Sequence, residues 1–94
     1  MAFYVYIMTN KRNGVLYSGM TDDITKRAWM HREHVHQGFT DKYNWEMLVW
    51  YEIHASRESA FIRERRIKGW KREWKLKLIE EMNPGWRDLA SELI

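Results

Sequence analysis

The chain of 94 residues contains no cysteine. It can therefore form neither a disulfide bond nor a thiolate metal site. This composition suits a reducing compartment, and we expect the protein to be cytoplasmic. No segment approaches the roughly 20 consecutive apolar residues of a membrane-spanning helix, and the first residues do not have the pattern of a signal peptide. We therefore expect a soluble protein without a membrane partner.

The sequence also lacks internal repeats, linkers and low-complexity segments, so nothing divides it into parts. Its length allows one domain, residues 1–94, with a modest core. A domain this short is only marginally stable without disulfides or a metal. Six tryptophans supply much of the apolar area that such a core needs. The alternative role for a tryptophan is to stack on a nucleic-acid base, and Trp70 and Trp74 are the best candidates because they lie among basic residues.

Charge is nearly balanced overall but not along the chain. The formal net charge is +3, whereas residues 63–77 carry eight lysines and arginines against two glutamates, a local charge of +6. Such a stretch favours a polyanion such as nucleic acid, or else forms the solvated face of amphipathic helices. The charge pattern alone leaves both interpretations open.

Two segments near the N-terminus have the composition of β-strands. Residues 3–8 (FYVYIM) and 15–20 (VLYSGM) are rich in aromatic and β-branched side chains. Asn13-Gly14 between them tolerates positive φ at little steric cost. The sequence therefore predicts a β-hairpin.

The length of the turn decides which residues of the hairpin meet. With residues 11–14 in the turn, Tyr6 lies opposite Gly19 and Met8 lies opposite Tyr17. The two tyrosines are then diagonal neighbours on one face of the sheet, with about 7–8 Å between their backbones. A tighter turn would keep them on one face but further apart.

A helix is predicted over residues 22–36, with the hydroxyl of Thr21 as its cap. Arg27 falls on the same side of this helix as the apolar Ile24 and Ala28. An arginine on an apolar stripe needs a partner, because burying an unpaired cation is costly. Arg27 is thus either a snorkelling or salt-bridged side chain, or a cation held at a cleft to meet phosphate.

The second half of the chain predicts a strand and two helices. Residues 45–53 (WEMLVWYEI) have the length and composition of a third strand. Helices are predicted over 57–68, capped by Ser56, and over 71–82, followed by a short amphipathic segment, 86–94. The predicted apolar stripe of the first of these helices includes Ala60, Phe61 and Ile67. That of the second is Trp74, Leu78 and Met82, with Leu76 and Ile79 beside it.

Glu64 interrupts an apolar stripe, four residues after Ala60 and three before Ile67. A carboxylate that faces a core or a cleft is costly unless it is paired or binds a metal. One interpretation is structural, with a partner such as Arg27 or a position at the exposed edge of the stripe. The other is a ligand for Mg²⁺, which prefers oxygen ligands.

Several of these residues, in this order and spacing, resemble the GIY-YIG nuclease domain. The two triplets of the motif stand here as Tyr4-Val5-Tyr6 and Tyr17-Ser18-Gly19, with ten residues between them, and Arg27 and His31 follow. The resemblance covers nearly the whole chain through residues 39–44, Arg63-Glu64, residues 67–70 and Asn83-Pro84. It implies an α+β fold in which a three-stranded antiparallel sheet is flanked by three or more helices.

The resemblance also implies a metal-dependent endonuclease that hydrolyses phosphodiester bonds in DNA. Glu64 would hold one Mg²⁺ or Mn²⁺ ion, and Arg27 would stabilise the charge that builds on the phosphoryl oxygens. Tyr6 or Tyr17 would orient or deprotonate the attacking water, with the help of His31. A free tyrosine has a pKa of about 10, so a tyrosine that acts as a base needs nearby cations to lower it.

DNA is the partner that the resemblance implies, with branched or damaged DNA as candidate forms. The candidate nucleic-acid-binding residues are Lys42, Lys68, Lys71, Arg72, Lys75 and Asn83. For Asn83, the alternative role is to stop a helix before proline. We expect no separate DNA-binding domain, so the protein would bind weakly, prefer structured DNA, or need a partner protein for specificity.

Two alternatives to an enzyme remain open on the same fold. One is a nucleic-acid-binding module without catalysis, and the other is a protein-interaction module whose basic helices meet an acidic partner. Phosphate contacts weaken steeply with salt, so a salt titration of DNA binding separates these alternatives.

Overall fold

A three-stranded antiparallel sheet lies at the centre of the protein. The computed structural model describes residues 2–32 and 47–93, and the side chains of all of these except 30–32. The strands are β1 (Phe3–Thr9), β2 (Leu16–Thr21) and β3 (Met47–His54), in the order β2-β1-β3. The prediction of an α+β fold with a three-stranded antiparallel sheet is confirmed. Residues 45–46 of the predicted third strand lie outside the described residues.

The described residues also form three α-helices and a short 3₁₀ helix. These are α1 (Ile24–Arg32), α2 (Arg57–Lys68), α3 (Arg72–Met82) and the 3₁₀ helix Leu89–Leu93. The bounds predicted for α2 are confirmed, and α3 begins one residue later than predicted. Residues 33–36, predicted to extend α1, lie outside the described ranges. Within these ranges, no helix is long and apolar enough to cross a membrane.

Side chains cap the first two helices. The prediction that Thr21 caps α1 is wrong, because Asp23 Oδ1 accepts the hydrogen bond from the Lys26 N–H at 3.1 Å. Thr21 lies two residues too early and instead accepts from the Asp23 N–H, also at 3.1 Å. The predicted cap of α2 is confirmed, since the Ser56 hydroxyl oxygen accepts from the Ser59 N–H at 3.1 Å.

The helices cover both faces of the sheet, because successive side chains of a strand point to opposite sides. Val5 and Ile7 of β1 lie in one core with residues of α2 and α3. Tyr6 and Met8 lie in a second core with Ile24 of α1 and the 3₁₀ helix. We call this second side the tyrosine face, since Tyr4, Tyr6, Tyr17 and Tyr51 all pack there.

The two predicted helical stripes are only partly correct. Phe61 on α2 and both Trp74 and Met82 on α3 are exposed, whereas Ile79 of α3 is fully buried. Apolar residues occur on more than one side of α3, so its sequence permits several stripes. Packing against the sheet selects the one that contains Ile79. Glu64, by contrast, does lie on the buried stripe of α2.

Candidate active site

The hairpin between β1 and β2 sets the positions of the two motif tyrosines. Asn13 adopts a positive φ of 58° in the turn, and the Gly14 N–H donates to the Lys11 carbonyl at 2.9 Å. The resulting register places Tyr6 opposite Gly19 and Met8 opposite Tyr17. This is the longer of the two predicted turns, and it makes Tyr6 and Tyr17 diagonal neighbours.

Tyr6 and Tyr17 form a contacting pair on the tyrosine face. Their ring centroids are 6.2 Å apart with the rings tilted by 46°, and a hydrogen bond joins the two side chains. Tyr6 is 1% exposed, whereas Tyr17 is half-buried. Tyr17 is therefore the member of the pair that a ligand can approach.

Gly19 leaves the space that the Tyr6 side chain occupies. A Cβ atom at position 19 would lie 2.7 Å from the Tyr6 hydroxyl oxygen and 2.9 Å from Cζ, both closer than van der Waals contact allows. The second triplet of the motif thus requires a glycine because the phenol of the first triplet lies across it. The sequence pattern alone does not predict this role, because it depends on where the Tyr6 side chain lies across the hairpin.

Charged groups from two helices act on the Tyr6 phenol. Burial is the largest cause and raises the pKa of Tyr6 well above its usual range, and the neighbouring Tyr17 raises it further. The positive charge of Arg27 on α1 lowers this pKa, and the carboxylate of Glu64 on α2 raises it by the smallest of these effects. The charges of Arg27 and Glu64 thus influence this hydroxyl from two different helices, and burial keeps it protonated at neutral pH.

The raised pKa of Tyr6 has a consequence for stability at alkaline pH. Folding keeps Tyr6 protonated, so its contribution is complete below a pH of about 10 and is lost as the pH rises toward the folded pKa. We expect Tyr6→Phe to have a shallower alkaline fall in melting temperature than the wild type. Thermal melts between about pH 8 and pH 11 measure this difference. Identical alkaline slopes in the two proteins would contradict it.

Glu64 is the buried carboxylate of this region. It is 6% exposed and lies on α2, which packs against β1 and β2. Lys68, one helical turn later, places its Nζ 3.1 Å from Glu64 Oε2, although the geometry is that of an ion pair without an aligned hydrogen bond. Among the described residues, no donor makes a hydrogen bond to this oxygen. Its described ion pair is thus with Lys68 and not with the predicted structural partner Arg27.

Two features of Glu64 fit a divalent cation. Its ion-pair partner, Lys68, is exposed, and its Oε2 atom accepts no hydrogen bond from the described residues. Mg²⁺ retains several waters and is commonly held by one or two carboxylates, so a single glutamate is a sufficient protein ligand. Across residues 2–32 and 47–93, no cluster of three or more histidines, cysteines or carboxylates forms a metal cage. Among these residues, Glu64 is the buried carboxylate whose Oε2 atom accepts no hydrogen bond.

A polar network holds α2 against β3. Glu52 accepts hydrogen bonds from Arg63 Nε at 3.1 Å and Arg63 Nη2 at 3.4 Å, and its Oε1 lies 2.7 Å from His54 Nε2. His54 Nδ1 is 2.5 Å from the Ser59 hydroxyl of α2. Because Arg63 directly precedes Glu64, this network fixes the part of α2 that presents the carboxylate.

The predicted nucleic-acid-binding cations differ in their surroundings. Lys71 is exposed and Lys75 is half-buried. Arg72 donates from Nη2 to the carbonyl oxygens of Asn13 and Gly14, each at 2.7 Å, and thereby ties α3 to the hairpin turn. Lys71 and Lys75 are therefore better placed than Arg72 to contact a phosphate.

Asn83 is fully buried, and its amide is used within the protein. Its Nδ2 donates to the carbonyl oxygens of Val49 at 3.1 Å and Arg87 at 2.8 Å, and its Oδ1 accepts from the Arg87 N–H at 3.0 Å. These are the contacts of a residue that ends α3 and attaches it to β3, the structural alternative considered above. We therefore assign Asn83 to the fold.

Two predicted site residues cannot be placed in this way. His31 belongs to α1, but its side chain lies outside the described part of the structure. Lys42 and the predicted loop around it also lie outside the described residues. Their roles remain predictions from the sequence.

Comparison with known proteins gives a consistent result. Residues 2–77 match the family described as the GIY-YIG catalytic domain. UPF0213 proteins of Staphylococcus haemolyticus and Staphylococcus saprophyticus are each 37% identical to this chain over 78 residues, which is 83% of this chain and 94% of each relative. The solution NMR structure of a UPF0213 protein from Bacillus halodurans superposes with a TM-score of 0.58 at 26% identity, covering 94% of this chain and 93% of the other.

Proposed function

Because this chain belongs to the GIY-YIG catalytic domain family, we propose that it is a metal-dependent endonuclease that hydrolyses phosphodiester bonds in DNA. The observation that carries the proposal is the hydrogen-bonded pair of Tyr6 and Tyr17, with the Tyr6 phenol within electrostatic reach of Arg27 on α1 and of the buried Glu64 on α2. Phosphodiester hydrolysis requires an accessible hydroxyl, a cation and a carboxylate oxygen that can bind a metal. Here these groups are Tyr17, Arg27 and Glu64. Burying the Glu64 carboxylate is costly even beside Lys68, and a role in metal binding would account for its position.

The two tyrosines have different roles in this proposal. The raised pKa of Tyr6 makes it unsuitable as a general base at neutral pH, so it acts as a hydrogen-bonding support that orients Tyr17. Tyr17, the more accessible hydroxyl, accepts a hydrogen bond from the attacking water and directs it at phosphorus. His31 is the proposed partner that removes the proton of this water, since an unperturbed histidine titrates near neutral pH.

The charged residues act on the phosphate itself. The guanidinium of Arg27 stabilises the charge that develops on the phosphoryl oxygens. Glu64 is the residue that would hold Mg²⁺ or Mn²⁺, and a divalent ion at that position supplies Lewis-acid polarisation of the phosphate. Lys68 Nζ lies 3.1 Å from Glu64 Oε2 and balances its charge, and an ion held by Glu64 would take over that role.

A cleavage assay tests this proposal. Purified protein is incubated with plasmid, branched and single-stranded DNA, each with Mg²⁺, with Mn²⁺ and with a chelator. We expect cleavage of at least one substrate that requires the ion. Absence of cleavage in all of these reactions, with DNA binding intact, would contradict the proposal and favour the second candidate.

The second candidate is a nucleic-acid-binding module without catalysis. The ion pair between Lys68 and Glu64 favours it, because the carboxylate already has a cation beside it. In this case the basic residues of α2 and α3 provide the function, and Glu64 serves only to orient Lys68. For this candidate we expect DNA binding that does not change when divalent ions are added or removed.

Both candidates require phosphate contacts from the basic stretch 63–77. We expect the double variant Lys71→Gln, Lys75→Gln to bind DNA of unrelated sequences more weakly. The slope of log affinity against log salt should flatten by about 0.9 for each phosphate contact removed, because each contact releases condensed counterions. Fluorescence anisotropy at several salt concentrations measures this slope.

Arg87→Gln provides the control for the lysine variant. Arg87 pairs with Glu92 beyond the C-terminal end of α3, so its loss removes a surface cation away from the basic stretch. We expect this variant to retain the slope of the wild type. Equal slopes in all three proteins would exclude Lys71 and Lys75 from the binding surface.

A further inference from the structure

A groove beside α3 is not used by the candidate active site. It is lined by Trp70, Trp74, Lys77, Leu78 and Glu81 and has a volume of about 310 Å³. This lies at the small end of the roughly 300–1,000 Å³ range of ligand pockets, so the groove suits a single planar group and not a folded partner. All five residues belong to α3 or to the bend before it, whereas the tyrosine pair comes from β1 and β2.

Two tryptophans form the walls of the groove. Their rings meet edge to face, with centroids 6.2 Å apart and an interplanar angle of 81°. The guanidinium of Arg63 lies over the ring of Trp70, 5.3 Å from the ring centroid. This cation–π contact helps to hold the Trp70 ring in place. Trp74 is 52% exposed and therefore offers a large aromatic surface to solvent. Exposure alone does not distinguish Trp74, because Trp29 on α1 is also exposed; the distinguishing feature of Trp74 is its place beside Trp70 in a groove within the basic stretch.

The charges around the groove indicate the chemistry of that ligand. Residues 63–77 carry a local charge of +6, and the groove itself is lined by one cation, Lys77, and one carboxylate, Glu81. Exposed aromatic rings next to cations are the combination that proteins use for single-stranded nucleic acid, where bases stack on the rings and phosphates meet the cations. In an intact duplex the faces of the bases are covered by their neighbours, so a ligand for Trp74 must contain an unpaired base.

We propose that this groove binds an unpaired nucleotide, whose base stacks on Trp74 and whose phosphates meet the lysines of α3. The inference rests on the proposed function in that it specifies the form of DNA that the protein engages: single-stranded DNA or a strand with an unpaired segment. Glu81 only accepts hydrogen bonds, which favours bases with amino groups, and a cytosine oligomer is therefore the appropriate probe.

Binding of a labelled oligodeoxycytidylate in the presence of a chelator tests the groove separately from cleavage. We expect Trp74→Ala to lose about fivefold to a hundredfold in affinity for this strand, the usual effect of removing one stacking aromatic ring. Its affinity for a fully paired duplex should remain that of the wild type. Trp74→Phe retains an aromatic ring and should retain most of the single-strand affinity, which keeps the test valid if the alanine variant folds poorly.

Trp29→Ala is the matched control, because Trp29 is 57% exposed but lies on α1, outside the basic stretch. We expect it to bind the strand as the wild type does. Unchanged affinity in Trp74→Ala, an equal loss in Trp29→Ala, or an equal loss toward duplex would each overturn the inference. The inference would also be overturned if polyglutamate competed as effectively as unlabelled oligonucleotide. Binding would then depend on negative charge alone.

The chelator separates the two proposals. If the groove does not bind a base but the protein cleaves DNA with Mg²⁺, the nuclease proposal stands and the groove proposal fails. If single-strand binding depends on Trp74 but no substrate is cleaved, the nuclease proposal fails and the groove proposal stands for a binding module.

Discussion

Replacing Glu64 with glutamine should abolish cleavage while DNA binding is retained. The amide keeps the shape of the side chain but removes the charge that would hold a divalent ion, and we expect cleavage to fall by at least about a hundredfold. Binding should be unchanged or stronger, because a negative charge near the phosphate is removed. Cleavage rates and anisotropy titrations of the same variant measure the two effects.

The melting temperature provides a readout of the ion that does not depend on activity. A ligand that binds only the folded state raises its stability, so Mg²⁺ should raise the melting temperature of the wild type but not that of Glu64→Gln. Lys68 is 56% exposed at its side chain, so losing its partner should cost little stability without the ion. Glu58→Gln is the control, since Glu58 is an exposed glutamate of the same helix. A wild type that is insensitive to Mg²⁺, together with a less stable Glu64→Gln, would make Glu64 a structural residue.

Gly19→Ala should be the most damaging of the small substitutions on the tyrosine face. The added Cβ would lie 2.7 Å from the Tyr6 hydroxyl oxygen, and the buried Tyr6 ring has little room to move. Overpacking of this kind costs about 1–3 kcal/mol, and each kcal/mol lowers the melting temperature of a domain of this size by about 4–8 °C. The displaced phenol would also disturb its hydrogen bond to Tyr17, so cleavage should fall with stability.

Two further variants test the steric origin of that effect. A Cβ at Gly85 would meet only Arg87 Cγ at 3.7 Å, an ordinary contact, so we expect Gly85→Ala to melt close to the wild type. Adding Tyr6→Phe to Gly19→Ala removes the hydroxyl but leaves Cζ 2.9 Å away, which should restore only part of the lost stability. Equal melting temperatures for the two single glycine variants would contradict the steric explanation.

The hairpin could be predicted from the sequence because its determinants are local. Turn length and strand alternation together fix which residues lie opposite each other, and the pairing of Tyr6 with Gly19 follows from them. The position of Glu64 on the buried side of α2 also follows from its spacing to Ala60 and Ile67.

Features that depend on contacts between distant segments could not be predicted. The exposure of Trp74 depends on how α3 rotates against the sheet, and its own sequence permits more than one orientation. The contact of Arg72 with the hairpin turn joins residues 59 positions apart. The burial of Tyr6, which makes it a poor base, depends on α1 and the 3₁₀ helix covering the sheet. In each case tertiary packing decided among options that were locally equivalent.

The strand order β2-β1-β3 has a consequence for synthesis on the ribosome. β1 is the central strand, yet its two partners become available at different times: β2 follows after a short turn, whereas β3 begins only at Met47. Until then, one edge of β1 exposes unpaired backbone groups beside apolar side chains, the condition under which nascent chains associate with one another. A hairpin that forms early would therefore keep one unpaired edge until β3 is available, and the time for which that edge is open would depend on how quickly residues 10–54 are translated.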